Sequence, residues 1–282
     1  MSSYRANELL GFPADARLLI INADDLGMYP AINEGISRTL TDGVVRSTTL
    51  MVPCPGAPGA MRVLSQHPDI AFGVHLTAIC ELATSRWGPL TPRDRASSLV
   101  DETGSFFSND RREEFLARAR LDELGIEFRA QINAVFSAGL APTHLDWHCL
   151  HDGGRADIFD LTLGLAMEYG LALRVSGRSS IERLQVQGLP TNDHDLMDSF
   201  RVPTVDKASH YARMLRELPE GLSEWAVHPA MSDAESRAID PGWPVREADH
   251  DFFVSREAHD LLREEGIIVL DYRALRAVWT GA

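Results

Sequence analysis

Two adjacent carboxylates, Asp24 and Asp25, follow the apolar run 18–21 and stand between Asn22 and Gly27. Side by side they repel each other, so a metal ion, a proton or basic partners must compensate them. The structural alternative is a strand-to-helix turn in which an Asp caps the helix that follows. Further along, His75 comes near the end of the stretch 70–76, His144, Asp146 and His148 crowd the stretch 142–148, and His228 ends the stretch 223–227. A carboxylate with two neutral imidazoles is a common donor set for a catalytic Zn²⁺ or related divalent ion, with positions left open for water and substrate. Asp25, His75 and His148 can supply it. Asp24 then sits beside the metal as a general base, and His228 can act as general acid. His144 and Asp146 share a strand face with His148 and can support it from behind. Asn22 and His151 are candidates for lining the site. Taken singly, a histidine at a strand end such as His75 or His228 reads more readily as a hydrogen-bonded structural residue.

These residues need elements that bring them together. The run 18–21 reads as a strand buried on both faces, as in a parallel sheet. A helix over 29–40, a strand over 44–52, a short helix over 59–67 and a strand over 70–76 follow, which is βαβαβ alternation. Further strands are expected at 142–148, 171–175, 223–227 and 267–270. Helices are expected at 111–137, broken near Gly125, and at 157–169, 207–218 and 255–265. The pattern predicts one α/β domain over 1–282, a (β/α)-barrel-like fold with a mostly parallel sheet, whose C-terminal strand ends form one rim where chemistry sits. Residues 1–16 read as an N-terminal extension. The segments 78–108 and 229–250 read as long loops on the active-site side, and a loop that long in a compact domain is usually functional. The stretch 176–199 reads as irregular.

Composition narrows the partners. The chain has 282 residues and a net charge of −14, which argues against nucleic acid and anionic membranes as partners. Three cysteines without a Cys-x-x-Cys pair indicate neither a disulfide framework nor a zinc ribbon, and Cys149 reads as a buried thiol. The N-terminus lacks a signal-peptide core, and no apolar run approaches the ~18 residues of a membrane span. A cytoplasmic protein acting on a small molecule is the expectation, with the oligomeric state, homo-oligomer included, left open.

The segments Leu-Ile-Ile-Asn-Ala-Asp-Asp-Leu-Gly (19–27), Val-Arg-Ser-Thr-Thr-Leu-Met-Val (45–52), Gly-Val-His-Leu (73–76), Ser-Leu-Val-Asp-Glu-Thr-Gly-Ser-Phe (98–106), Pro-Thr-His-Leu-Asp-Trp-His (142–148) and Val-His-Pro (227–229) together resemble the YdjC-like carbohydrate deacetylase family, which includes chitooligosaccharide deacetylases. The resemblance implies a (β/α)-barrel-like fold and metal-dependent removal of acetyl groups from N-acetylated sugars. It puts the metal on Asp25, His75 and His148, and it makes Asp24 the base and His228 the acid. The substrate class comes from the resemblance alone. The family's histidine-rich run after Thr-His-Leu-Asp is here His148-Cys149-Leu150-His151, which keeps the ligand and changes the neighbours that would meet sugar. Trp87 and Trp243 are candidate sugar-stacking platforms. One divalent ion, Zn²⁺ or Mg²⁺, is expected. A metal-dependent phosphoesterase or other hydrolase, and a non-catalytic sugar-binding barrel, are the competing classes.

Overall fold

The apolar run after Arg17 forms the strand around which the sheet assembles. In the computed structural model, which describes residues 5–82 and 84–281, β1 spans Arg17–Leu26 and is buried from Leu18 onward. Seven more strands join it: β2 (Ser47–Leu50), β3 (Ala71–Leu76), β4 (His144–Trp147), β5 (Ala172–Leu173), β6 (Met197–Asp198), β7 (Gly221–Val227) and β8 (Ile268–Leu270). All pair in parallel, in the order β5-β4-β3-β2-β1-β7-β6. One edge of β1 is shared: residues 18–20 pair with β8, and residues 22–26 pair with β2. The sheet curls into a (β/α)-barrel-like shape. Between the edge strands β5 and β6, the Leu196 N–H donates to the Ser176 carbonyl at 3.0 Å.

The register decides what lies inside. Asn22 pairs with Ser47, Thr49 with Gly73, and His75 with Asp146, so a belt of polar side chains faces inward above the middle of the barrel. Beneath it the interior is apolar. Leu18, Ile20, Ala172 and Leu222 pack there against Ala6 of the helix Arg5–Leu10 and against Tyr272 and Leu275 of the helix Tyr272–Thr280. The larger core lies on the outer face, between strands and the surrounding helices. Gly73 joins the two layers: a Cβ there would stand 2.6 Å from the His144 ring, which lies across it.

Several elements depart from the sequence reading. The stretch 229–250 carries helices Ala234–Ile239 and Trp243–Phe253; Asp233 caps the first through a reciprocal pair with Ser236, and Pro244 opens the second. Its Pro and Gly residues mark caps here, not loop. Likewise 176–199 holds the helix Arg178–Val186 and β6. The helix expected over 111–137 is broken at Ala119, between Arg112–Arg118 and Leu121–Ser137; Gly125 lies inside the second, where a Cβ would press to 3.3 Å from Leu161. The helix Tyr272–Thr280 was not anticipated. The stretch 78–108 is mostly irregular, and buried carboxylates hold it: Glu123 accepts from Ser98 N at 2.6 Å, and Glu127 accepts from Leu90 N at 3.1 Å and Thr91 N at 2.9 Å. Ala83 within it, and residues 1–4 of the expected extension, lie outside the described residues. From Arg5 the extension is helical, and Asn7 donates to the carbonyls of Pro13 and Ala16. Among the described residues no helix is long and apolar enough to cross a membrane.

Candidate metal centre and active site

A bulge near the end of β1 aims two consecutive carboxylates the same way. On a regular strand neighbouring side chains point to opposite faces. Here the pairing with β2 slips between Ala23 and Leu26, and Asp25 takes a left-handed conformation, φ 74°. Both carboxylates therefore line one cavity. Such a conformation costs on the order of 1–3 kcal/mol for a non-glycine residue and concentrates at functional sites. The cavity measures about 450 Å³ at the C-terminal end of the barrel, and its walls include Asp24, Asp25, His75, His148, Arg174 and His228.

Each carboxylate has its own guanidinium. Arg174, on the loop leaving β5, donates from Nη1 to Asp24 Oδ2 at 2.7 Å and from Nη2 to Asp24 Oδ1 at 2.8 Å. It also reaches Asp146 Oδ2 at 2.6 Å and, through Nε, Glu224 at 2.7 Å. Arg246, from the helix Trp243–Phe253, donates to Asp25 Oδ2 at 2.8 Å, Glu81 at 2.7 Å and Asp240 at 2.6 Å. Burial pushes both aspartates up, but Arg174 with His75 outweighs it for Asp24, and Arg246 with His148 and His75 outweighs it for Asp25. Both are held well below the usual carboxylate range. The repulsion expected from sequence is thus met by basic partners.

Asp25, His75 and His148 converge. Asp25 Oδ1 lies 3.4 Å from His75 Nε2 and 3.3 Å from His148 Nδ1, and the three donor atoms fall within 4.8 Å of one another. His75 Nδ1 is engaged by Asp146 Oδ1 at 2.7 Å, which puts its proton on Nδ1 and frees Nε2 toward Asp25. One carboxylate oxygen and two imidazole nitrogens facing a common point fit a divalent cation. A second grouping, Asp24 with His75 and Asp146, is bridged by the Arg174 guanidinium between its two carboxylates and fits a cation poorly. Burial pushes His75 and His148 down. For His75, Asp146 and Asp25 outweigh it; for His148, Cys149, Asp25 and Glu81 do. Both rise to about 10.

Asp24 Oδ1 is saturated: Asn22 Nδ2 donates at 2.7 Å, Arg174 Nη2 at 2.8 Å and the Thr49 hydroxyl at 3.4 Å. Among the described residues Oδ2 takes Arg174 Nη1 alone, and it lies 3.9 Å from His228 Nε2.

The sequence candidates separate into those at the cavity and those away from it. Asp24, Asp25, His75, His148, His228 and His151 line it. Asn22 and Asp146 stand behind Asp24 and His75. His144 points inward one layer too deep: its ring stacks on Tyr272 at 3.6 Å, and burial together with Arg174 lowers its pKa, so it is a neutral core histidine. Trp87 is 4 % exposed and packs edge-on to His148, with Nε1 donating to the Ile79 carbonyl, so no sugar face can stack on it. Trp243 follows the lining residue Gly242 but does not itself line the cavity, and it lies under the Arg237 guanidinium at 4.6 Å. Two aromatics line the cavity: Trp147 is 7 % exposed, whereas Phe200 is 42 % exposed and edge-on to His228 at 4.6 Å. Sequence reasoning missed Phe200, Arg174, Arg246 and Glu81. Only Arg174 carried a signal, as a charge inside the apolar stretch 171–175.

A family model described as YdjC-like protein matches residues 18–264. A carbohydrate deacetylase of Thermoanaerobacter pseudethanolicus is 29% identical over 263 residues, covering 92% of this chain and 100% of the relative. A carbohydrate deacetylase of Enterococcus faecalis is 32% identical over 271 residues, covering 91% and 97%. A crystal structure from Enterococcus faecalis V583, described as a cellobiose-phosphate cleavage protein, superimposes with a TM-score of 0.78 at 30% identity, covering 92% of this chain and 99% of that one.

Proposed function

This chain belongs to the YdjC-like family, and from that premise we propose that it hydrolyses the acetamide of an N-acetylated sugar with the help of one divalent metal ion. The observation that carries the reading is the convergence of Asp25, His75 and His148 beside a carboxylate, Asp24, whose open oxygen faces the same cavity. The relatives named carbohydrate deacetylases support the acyl group and the sugar. Asp25, His75 and His148 hold the ion, and two imidazoles among the donors favour Zn²⁺ over Mg²⁺, which prefers oxygen ligands and bound water. When bound, the ion supplies Lewis acidity, lowering the pKa of water and polarising the acetyl carbonyl.

The chain's own residues do the rest. Asp24 Oδ2 takes the proton of the water that attacks the acetyl carbon. Arg174 keeps Asp24 ionised and fixed in orientation, so no rotation precedes the transfer. His228 presents Nε2 toward Asp24 and the cavity, where it gives a proton to the departing amine as the C–N bond breaks. Acetate and the free amino sugar are the products. Phe200, exposed beside His228, offers a face for a pyranose ring.

Acetate release from a panel of N-acetylated mono- and oligosaccharides, measured before and after metal stripping and re-addition, tests this reading. Release that vanishes with the metal and returns with it is expected. No release from any member, with metal stoichiometrically bound, would move the chemistry to another acyl group or another hydrolysis.

A further inference from the structure

His148 brings two ring nitrogens to the cavity, and the centre described above uses only one of them. Nδ1 faces Asp25. Nε2 lies 3.3 Å from Cys149 Sγ and 3.6 Å from Glu81 Oε2, and those two atoms stand 3.6 Å apart. Glu81 follows the short strand Ile79–Cys80, and Arg246 holds it by its other oxygen at 2.7 Å, which leaves Oε2 toward His148 and Cys149. Cys149 is half-buried, not the buried thiol expected from sequence, and its backbone is left-handed, φ 58°, a conformation that concentrates at functional sites. Glu81, His148 and Cys149 all line the cavity.

A thiolate, an imidazole and a carboxylate are all ligands of Zn²⁺, and the thiolate favours softer ions. Bonds of about 2.3 Å to sulfur and about 2.0–2.2 Å to nitrogen and oxygen, spread tetrahedrally, set the donor atoms about 3.3–3.6 Å apart. The three separations here, 3.3, 3.6 and 3.6 Å, match that spacing. We propose that Glu81, Cys149 and Nε2 of His148 form a second seat for a thiophilic divalent cation, filled in competition with the seat of Asp25, His75 and Nδ1 of His148. A neutral imidazole keeps one hydrogen and offers one lone pair, so His148 serves one seat at a time. An ion in the second seat displaces the thiol hydrogen and any hydrogen on Nε2 to water, and the hydrogen that stays on Nδ1 faces Asp25. Asp25 and His75 then lack their third donor. An ion in the first seat reverses this, with the hydrogen on Nε2 toward Glu81 and Cys149. The inference goes beyond the proposed deacetylation and uses none of its steps.

Titration of metal-stripped protein with Cd²⁺ tests this without substrate. Cd²⁺ bound to a thiolate absorbs in the ultraviolet by charge transfer from sulfur; Cd²⁺ held by carboxylate and imidazole alone does not. The wild type is expected to take up one Cd²⁺ per chain, with that absorption rising from the first addition. Cys149→Ser should still bind one Cd²⁺, through Asp25, His75 and His148, with the absorption lost. Glu81→Gln, which keeps the thiol, should bind Cd²⁺ several-fold more weakly in competition with a chelator. No thiolate absorption in the wild type, or an absorption that survives Cys149→Ser and so comes from Cys54 or Cys80, would overturn the proposal. An affinity in Glu81→Gln equal to wild type would overturn it too. So would two Cd²⁺ per chain in the wild type, or none in Cys149→Ser, since the two seats would then not compete. A wild type that releases no acetate from any sugar would count against the proposed function alone, because none of these readings involves acetate.

Discussion

Asp24→Asn exchanges one oxygen for an amide group at constant volume and so isolates the proposed base from the proposed ligands. The donors around Asp24 dictate which way the amide turns. Its oxygen must stay at the Oδ1 position to keep Asn22 and Arg174 Nη2, which places the NH₂ at the Oδ2 position, 2.7 Å from Arg174 Nη1. A donor then faces a donor, and the cavity loses its open acceptor. Breaking one member of a buried ion pair costs about 3–5 kcal/mol. Arg174 keeps Asp146 and Glu224, so the lower end applies, and a protein of this size should lose roughly 5–10 °C of Tm. Loss of a general base costs about 10²–10⁴-fold in kcat, or roughly 3–5 kcal/mol of barrier. The metal donors Asp25, His75 and His148 are untouched, so metal content should stay near wild type while acetate release collapses. Elemental analysis of the purified variant beside a steady-state acetate assay reads both quantities. A variant that holds metal and turns over at near-normal rates would refute the base assignment. A variant that loses metal, as His148→Ala is expected to, would mean that Asp24 is itself a ligand.

Three further outcomes are expected. In protein stripped of metal, His75 and His148 titrate at about 10; a metal takes them neutral, so at pH 7 binding should release about two protons and affinity should rise with pH up to that range. Calorimetry in buffers of different ionisation enthalpy counts those protons, and a count near zero would contradict the donor set. Phe200→Ala should raise KM for an N-acetylated oligosaccharide by about 1 kcal/mol, roughly fivefold, with kcat little changed, because a stacking face binds ground state and transition state alike; an unaltered KM would remove Phe200 from the sugar site. Gly73→Ala should lose about 1–3 kcal/mol in denaturant unfolding, since its Cβ would stand 2.6 Å from the boxed-in His144 ring; wild-type stability would show that the ring can move aside.

Much of the barrel was readable because a parallel strand buried on both faces leaves an apolar run that little else produces. The run 18–21 and the strands delivering His75, His148 and His228 could be placed before any coordinates, and each polar residue at a strand end carried an address on the rim. Local order in 176–199 and 229–250 was not readable. There the helices are short and their faces mixed, so Pro and Gly at their caps masqueraded as loop.

What the chain alone determined is the set of groups capable of the chemistry: one carboxylate and two imidazoles for a cation, a second carboxylate beside them, and a histidine from the far side of the ring. Periodicity and residue type are local properties, and they suffice to say which side chains exist and which strand carries them. Orientation and charge balance are not local. Only the folded chain turned Asp25 through a left-handed bulge onto the same side as Asp24, and only it brought Arg174 from 150 positions away and Arg246 from 221 positions away to neutralise them. The same packing sent His144 one layer below the site, buried Trp87 and left Phe200 facing the cavity. A buried charge must find its partner wherever the fold supplies one, and no spacing along the sequence records where that will be.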